Sequence, residues 1–171
     1  MNRSAIIAIS AISTLALGLP SSALSQQKSL REQLVGSWTL VSNVTTGTDN
    51  VKRELFGSNP NGILILDAGG RYAAVQARPN RPKVKEGGNT RLEVAAAELG
   101  EAARGFAANF GTWTVNEADK TLTRRYEGAL FPNVEGTTTN AAVSLAGDEL
   151  TLTVLGQPGV GRTDAVYKRG K

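Results

Sequence analysis

The sequence predicts an all-β protein: an antiparallel, up-and-down, eight-stranded barrel with a short N-terminal helix and one inserted α-helix. Two segments begin alike, Gly36-Ser37-Trp38-Thr39-Leu40 and Gly111-Thr112-Trp113-Thr114-Val115. A glycine two places before a tryptophan at a strand start lets backbones approach closely while the large ring closes an apolar interior. The C-terminal part then runs as strand after strand, separated by polar turns short enough for hairpins, which implies a meander. Nothing in the chain alternates as β-α-β, so a parallel sheet or nucleotide fold is excluded.

The elements follow in order. Residues 30–35 carry apolar side chains at helical spacing, and Gly36 ends that turn and opens the first strand, to about Val44. Residues 45–50 are turn material, and Asn59-Pro60-Asn61-Gly62 is a strong turn signal. Ile63-Leu64-Ile65-Leu66 is a short continuous apolar run, joined through Asp67-Ala68-Gly69-Gly70 to a strand over 71–78. A proline- and glycine-rich loop over 79–89 leads to Thr90-Arg91-Leu92-Glu93, which fits a capping box. Leu92, Ala95, Ala96, Leu99, Ala103 and Phe106 then share one helical face, expected to pack on the core, in a helix weakened by Gly100 and Gly105. Strands are expected over 112–116, 121–130, 137–145, 149–155 and 163–169. The helix therefore falls between the third and fourth barrel strands.

At 171 residues the chain suits one well-buried core. Residues 1–25 read as a secretory signal peptide: Arg3 is the positive start, 5–19 the apolar run, Pro20 the break, and Ala23-Leu24-Ser25 the cleavage site. The apolar run is shorter than the roughly 20 residues a membrane span needs. Residues 26–171 are then the barrel domain, expected in the periplasm or secreted, with no stable membrane insertion after cleavage.

Composition removes most chemistries. With no cysteine and no histidine, the chain can form neither a disulfide, a Ser-His-Asp or Cys-His dyad, nor a histidine or thiolate metal site. No metal and no cofactor is implied. Gly156-Gln157-Pro158-Gly159-Val160-Gly161 lacks the lysine-serine/threonine ending of a phosphate loop. Asp67, Glu127, Glu135 and Asp148 fall at turns or strand ends, without a legible carboxylate pair. A net charge of +4 with 5% aromatics, and a basic stretch (Arg78, Arg81, Lys83, Lys85) interrupted by Pro79 and Pro82, does not make a nucleic-acid surface.

The inward faces carry what function the sequence shows. Alternation on 121–128 places Leu122, Arg124 and Tyr126 on one face, taken as the inside. Arg124 must then find a carboxylate, either an internal glutamate or a ligand's, because an unpaired buried charge costs several kcal/mol. Tyr72, Ala74 and Gln76 alternate likewise. Small residues (Ala73, Ala74, Ala77, Ala141, Ala142) either leave room for a ligand or accommodate the helix with Phe106 and Phe110. Tyr72, Trp113, Tyr126 and Phe131 are the contact candidates, with Arg124 as polar anchor. These residues suit a noncatalytic protein holding a small, largely apolar molecule, an acid among the options. Two alternatives stand beside it: an isomerase or cyclase using Tyr72, Tyr126 or a glutamate, and an envelope interaction module using the basic 78–85 loop.

Further landmarks carry a resemblance. These are Leu34-Val35-Gly36-Ser37-Trp38-Thr39-Leu40-Val41-Ser42, Asn61-Gly62-Ile63-Leu64, Gly70-Arg71-Tyr72 and Ala77-Arg78-Pro79-Asn80-Arg81-Pro82. Gly111 to Val115, Phe131-Pro132-Asn133-Val134-Glu135-Gly136-Thr137 and Gly147-Asp148-Glu149-Leu150-Thr151-Leu152 complete the set. In this order the chain resembles a bacterial and fungal family of lipocalin-like domains, which implies the lipocalin-type barrel. The resemblance also implies that Trp38 packs under the closed end with Gly36, covered by Lys168 or Arg169 from the last strand. Where family members tend to carry histidine before the Phe-Pro-Asn turn, this chain has Arg124-Arg125, and Asn140 stands where an arginine is usual.

Overall fold

The computed structural model describes residues 28–84, 94–156 and 161–170. The expected leader, the expected capping box at Thr90 and the start of the expected helix lie outside these residues. The elements are α1 (Leu30–Leu34), β1 (Gly36–Thr46), β2 (Lys52–Arg53), β3 (Asn61–Leu66), β4 (Arg71–Ala77), α2 (Ala96–Ala103), β5 (Phe106–Asn116), β6 (Thr121–Ala129), β7 (Thr138–Ala146), β8 (Glu149–Leu155) and β9 (Arg162–Arg169).

Every pairing is antiparallel, and β1 pairs with both β3 and β9, which closes eight strands into a barrel. The two-residue β2 only extends the far end of β1 and stands outside the ring. Up-and-down order sends odd and even connections to opposite ends. The turns after β3, β5 and β7 gather with α1 at one end. The long connection bearing α2 joins β4 to β5 at the other.

Inward positions form the core: Leu40, Leu64, Leu66, Leu122, Leu150 and Leu152 are all buried, with Trp38, Trp113, Tyr72 and Tyr167 among them. A bulge between Leu40 and Ser42 shifts the phase of β1, so Leu40 and Asn43 are both buried while Val41 turns outward. A second irregularity separates Phe110 from Gly111. There a Cβ on Gly111 would run into the Arg125 carbonyl, so only glycine fits. Gly36 serves differently, since its φ of +137° is a conformation that side-chain-bearing residues rarely adopt.

Two expectations are corrected here. The helix ends at Ala103, where Gly105 turns the chain at φ +69°, and β5 begins at Phe106, earlier than the sequence reading had it. Phe106 and Phe110 therefore belong to a strand. Pairing governs here, because β4 offers the 106–110 segment a partner along its whole length. The apolar face of α2 does not pack on the core either, for none of its residues is buried. Ala74 and Ala141 line the interior, whereas Ala142 is exposed and Ala73 and Ala77 sit at outward positions of β4.

Candidate functional site

The interior divides into an apolar base and a polar upper half. At the base the two Gly-X-Trp segments build nearly the same device twice. The Trp38 indole N–H donates to the Leu34 carbonyl at 2.8 Å, and the Arg169 guanidinium lies 4.2 Å from its ring centre. Trp113 donates to the Asp67 carbonyl at 3.0 Å and carries Arg31 at 4.6 Å. Each indole thus has its one donor engaged and a cation over its face.

The helix α1 is held in place from across this end. The Glu117 carboxylate accepts from the Leu30 and Arg31 amides at 2.8 and 2.9 Å. Ser29 and Glu32 close a capping box at the same helix start. Arg169 also donates to the Gln33 carbonyl at 2.8 Å, tying β9 to α1. Arg169, and not Lys168, is the covering cation, because Trp38 pairs with Arg169 whereas Lys168 pairs with Thr39 and is exposed.

Above the base stand Arg124, Tyr72 and Tyr126. Arg124 is 9% exposed, and its Nε has no hydrogen-bond partner. No carboxylate is buried among the described residues, so the internal glutamate that would have neutralised Arg124 is not there. The Arg124 guanidinium carbon lies 5.7 Å from the centre of the Tyr72 ring. Tyr72 meets Tyr126 edge to face at 6.4 Å, and the Thr139 hydroxyl donates to the Tyr126 hydroxyl at 2.9 Å. The Tyr72 hydroxyl is buried without a partner. Burial pushes its pKa up to about 12, against the lowering influence of Arg124. Burial likewise raises that of Tyr167. Both phenols are therefore neutral at physiological pH and cannot act there as bases.

A chain of side chains reaches across the upper interior. Asn43 on β1 donates to Gln76 on β4 at 2.8 Å, and Gln76 donates to the Tyr167 hydroxyl on β9 at 3.2 Å. Asn109 pairs with Ala74 across β4 and β5, and its Oδ1 is also buried and unpartnered. Unpartnered buried atoms are few in native proteins. Among the described residues four such atoms, on Asn43, Tyr72, Asn109 and Arg124, come from β1, β4, β5 and β6.

The structure thus brings Tyr72, Arg124 and Tyr126 together and sets Trp113 beneath them, paired directly with Arg124 across β5 and β6. Phe131 stands apart: it is 65% exposed and leads into a single 3-10 turn, Pro132–Val134. Sequence reasoning did not single out Asn43, Asn109 or Tyr167 for the site. Tyr167 was accessible through its alternation with Ala165. Asn43 was hidden by the β1 bulge, and Asn109 lay between Phe106 and Phe110, which the sequence assigns to the helix. In the basic loop, Arg78 donates to the Leu55 carbonyl at 2.8 Å, and Arg81 donates to the Ala102 carbonyl and covers Phe106 at 4.6 Å. Among the described cations of this loop, Arg78 and Arg81 are thus engaged within the chain.

The sequence profile of the lipocalin-like domain family matches residues 35–163, most of the chain. The chain belongs to the lipocalin-like domain family. Solved structures that match it include a lipocalin-like protein from Bacteroides uniformis, 12% identical, with a TM-score of 0.43, covering 80% of this chain and 98% of that one. A search of curated proteins returns no match. The fold of this lipocalin-like domain is one suited to holding a small molecule inside a barrel. Among its described residues no helix is long and apolar enough to cross a membrane, and no three acidic side chains gather as metal ligands.

Proposed function

We propose that this lipocalin-like domain is an exported, noncatalytic binding protein that holds a small, largely apolar molecule in the upper interior of its barrel. The observation that carries the reading is the set of four buried, unpartnered polar atoms directed from inner wall strands above an apolar base. A molecule seated among them would satisfy groups that the chain itself leaves unmatched. Trp113 forms the floor of that seat, Tyr72 and Tyr126 its aromatic wall, and Ala74 and Ala141 keep side-chain volume small. Burying about 300 Å² of apolar ligand surface contributes roughly 7 kcal/mol before association costs, enough for micromolar binding once polar contacts add to it.

The leader supports export of the chain, with a mature N-terminus at Gln26. No carboxylate is buried among the described residues to serve as a base, which favours holding over catalysis. The test is tryptophan emission during titration with a library of small acids, lipids and aromatic compounds. A saturable change is expected in the wild type and a much smaller one in Trp113→Phe. Unchanged emission across the whole library, with no binding by calorimetry, contradicts the reading.

A further inference from the structure

We infer that the seat at Arg124 takes a carboxylate, so that the molecule held in the barrel is a small apolar acid bound by its head group; this deepens the reading above and rests on it. The argument begins with charge. Arg124 is a permanent cation, nine-tenths buried, with its Nε unpartnered and no ion pair to any described residue. Such a charge is costly to keep, and an anion is what relieves it. A second donor stands beside it. The Tyr72 hydroxyl is buried and unmatched, and its ring adjoins the guanidinium. Cation and neutral phenol together offer hydrogen-bond donors, which suits an acceptor-only group.

Geometry narrows the class. The planar fork of a guanidinium matches the two oxygens of a carboxylate. One cation, with no second basic side chain buried among the described residues, balances a single negative charge better than the double charge of a phosphate monoester. The Tyr126 hydroxyl is already held by Thr139. Trp113 is the direct cross-strand neighbour of Arg124, so an acid with an aromatic or alicyclic body is placed with head on Arg124 and body on the indole and phenol rings.

The experiment compares two probes of one shape, naphthoate and naphthylmethanol, by isothermal titration calorimetry. The wild type is expected to bind naphthoate roughly tenfold to a hundredfold more tightly than the alcohol, the worth of a charge-assisted hydrogen-bonded pair. In Arg124→Met the ratio falls to about one because the acid loses its charged partner, and the ligand-free variant melts no lower than wild type because an unmatched charge has gone. Arg124→Lys and Tyr72→Phe reduce the ratio partway, and they carry the comparison alone if Arg124→Met does not fold. Equal binding of acid and alcohol in the wild type overturns the carboxylate and leaves the binding reading standing. An acid preference that survives in all three variants overturns the role of Arg124 and Tyr72. Binding of neither probe, together with a silent library, removes both readings.

Discussion

Trp113 and Arg124 occupy directly paired inward positions on β5 and β6. One residue pair therefore joins the sealed base, where the indole is capped by Arg31, to the polar interior, where the guanidinium has no counter-ion among the described residues. The energetics of the two halves differ accordingly. Substitutions below this boundary should cost stability, and substitutions above it should cost binding.

Below the boundary, Trp38→Phe removes the buried hydrogen bond to Leu34 and leaves both a small cavity and an unmatched carbonyl. A loss of about 2–4 kcal/mol is expected, measured by the midpoint of chemical denaturation. Arg169→Gln should cost less, because that side chain is partly exposed and its cation–π contact is worth about 0.5–2 kcal/mol. A Trp38→Phe variant as stable as wild type would show that the indole does not seal the base.

The paired glycines separate close approach from backbone conformation. Gly111→Ala drives a methyl group into the Arg125 carbonyl and should cost more than about 3 kcal/mol or prevent folding. At Gly36 an added Cβ meets only Arg169 at ordinary contact distance, and the penalty is that of the +137° φ, about 1–3 kcal/mol. Denaturation midpoints should rank wild type above Gly36→Ala, and Gly36→Ala above Gly111→Ala.

The phenols give a pH signature. Burial raises Tyr72 to about 12 and raises Tyr167, so the folded chain holds these protons more tightly than the unfolded chain, whose tyrosines titrate near 10. Stability from this source is fully present below about pH 10 and falls as pH climbs toward 12. The wild-type stability curve should therefore drop more steeply over that window than the Tyr72→Phe curve. Ultraviolet titration should likewise show a late-ionising phenol that Tyr72→Phe lacks.

Glu117 holds α1 by its first two amides, at the end of a helix where a negative charge is favourable. Glu117→Ala should speed hydrogen exchange at Leu30 and Arg31 and reach the Trp38 indole through Leu34. The amides of β7 and β8 should exchange at the wild-type rate. Uniform acceleration over the whole barrel would instead mean that Glu117 stabilises the fold globally.

Much of this architecture was legible because barrels repeat simple rules. Hairpin turns such as Asp67 to Gly70 and alternation such as Leu122-Arg124-Tyr126 fix strand order and facing with little help from distant residues. The β5 start was not, because Ala107 and Ala108 suit a helix about as well as a strand and only pairing with β4 decides between them. Asn43 was lost for a related reason: the bulge after Leu40 reverses inside and outside, and no residue type announces it. Arg124 was placed correctly on the inward face, but its lack of a counter-ion is a statement about every neighbouring strand. Sequence alternation within one strand cannot supply that. The repeated Trp-Arg closure, too, needed three-dimensional placement, since Arg31 and Trp113 are far apart in the chain.

The central claim is that the interior above Trp113 holds a small molecule on Arg124. Native mass spectrometry of the protein isolated gently from the cells that make it addresses this most directly, with Arg124→Met prepared in parallel. The expected result is a wild-type chain carrying one small acidic molecule and a variant chain without it. Two bare chains of identical behaviour, under conditions that preserve a known complex of micromolar affinity, would contradict it.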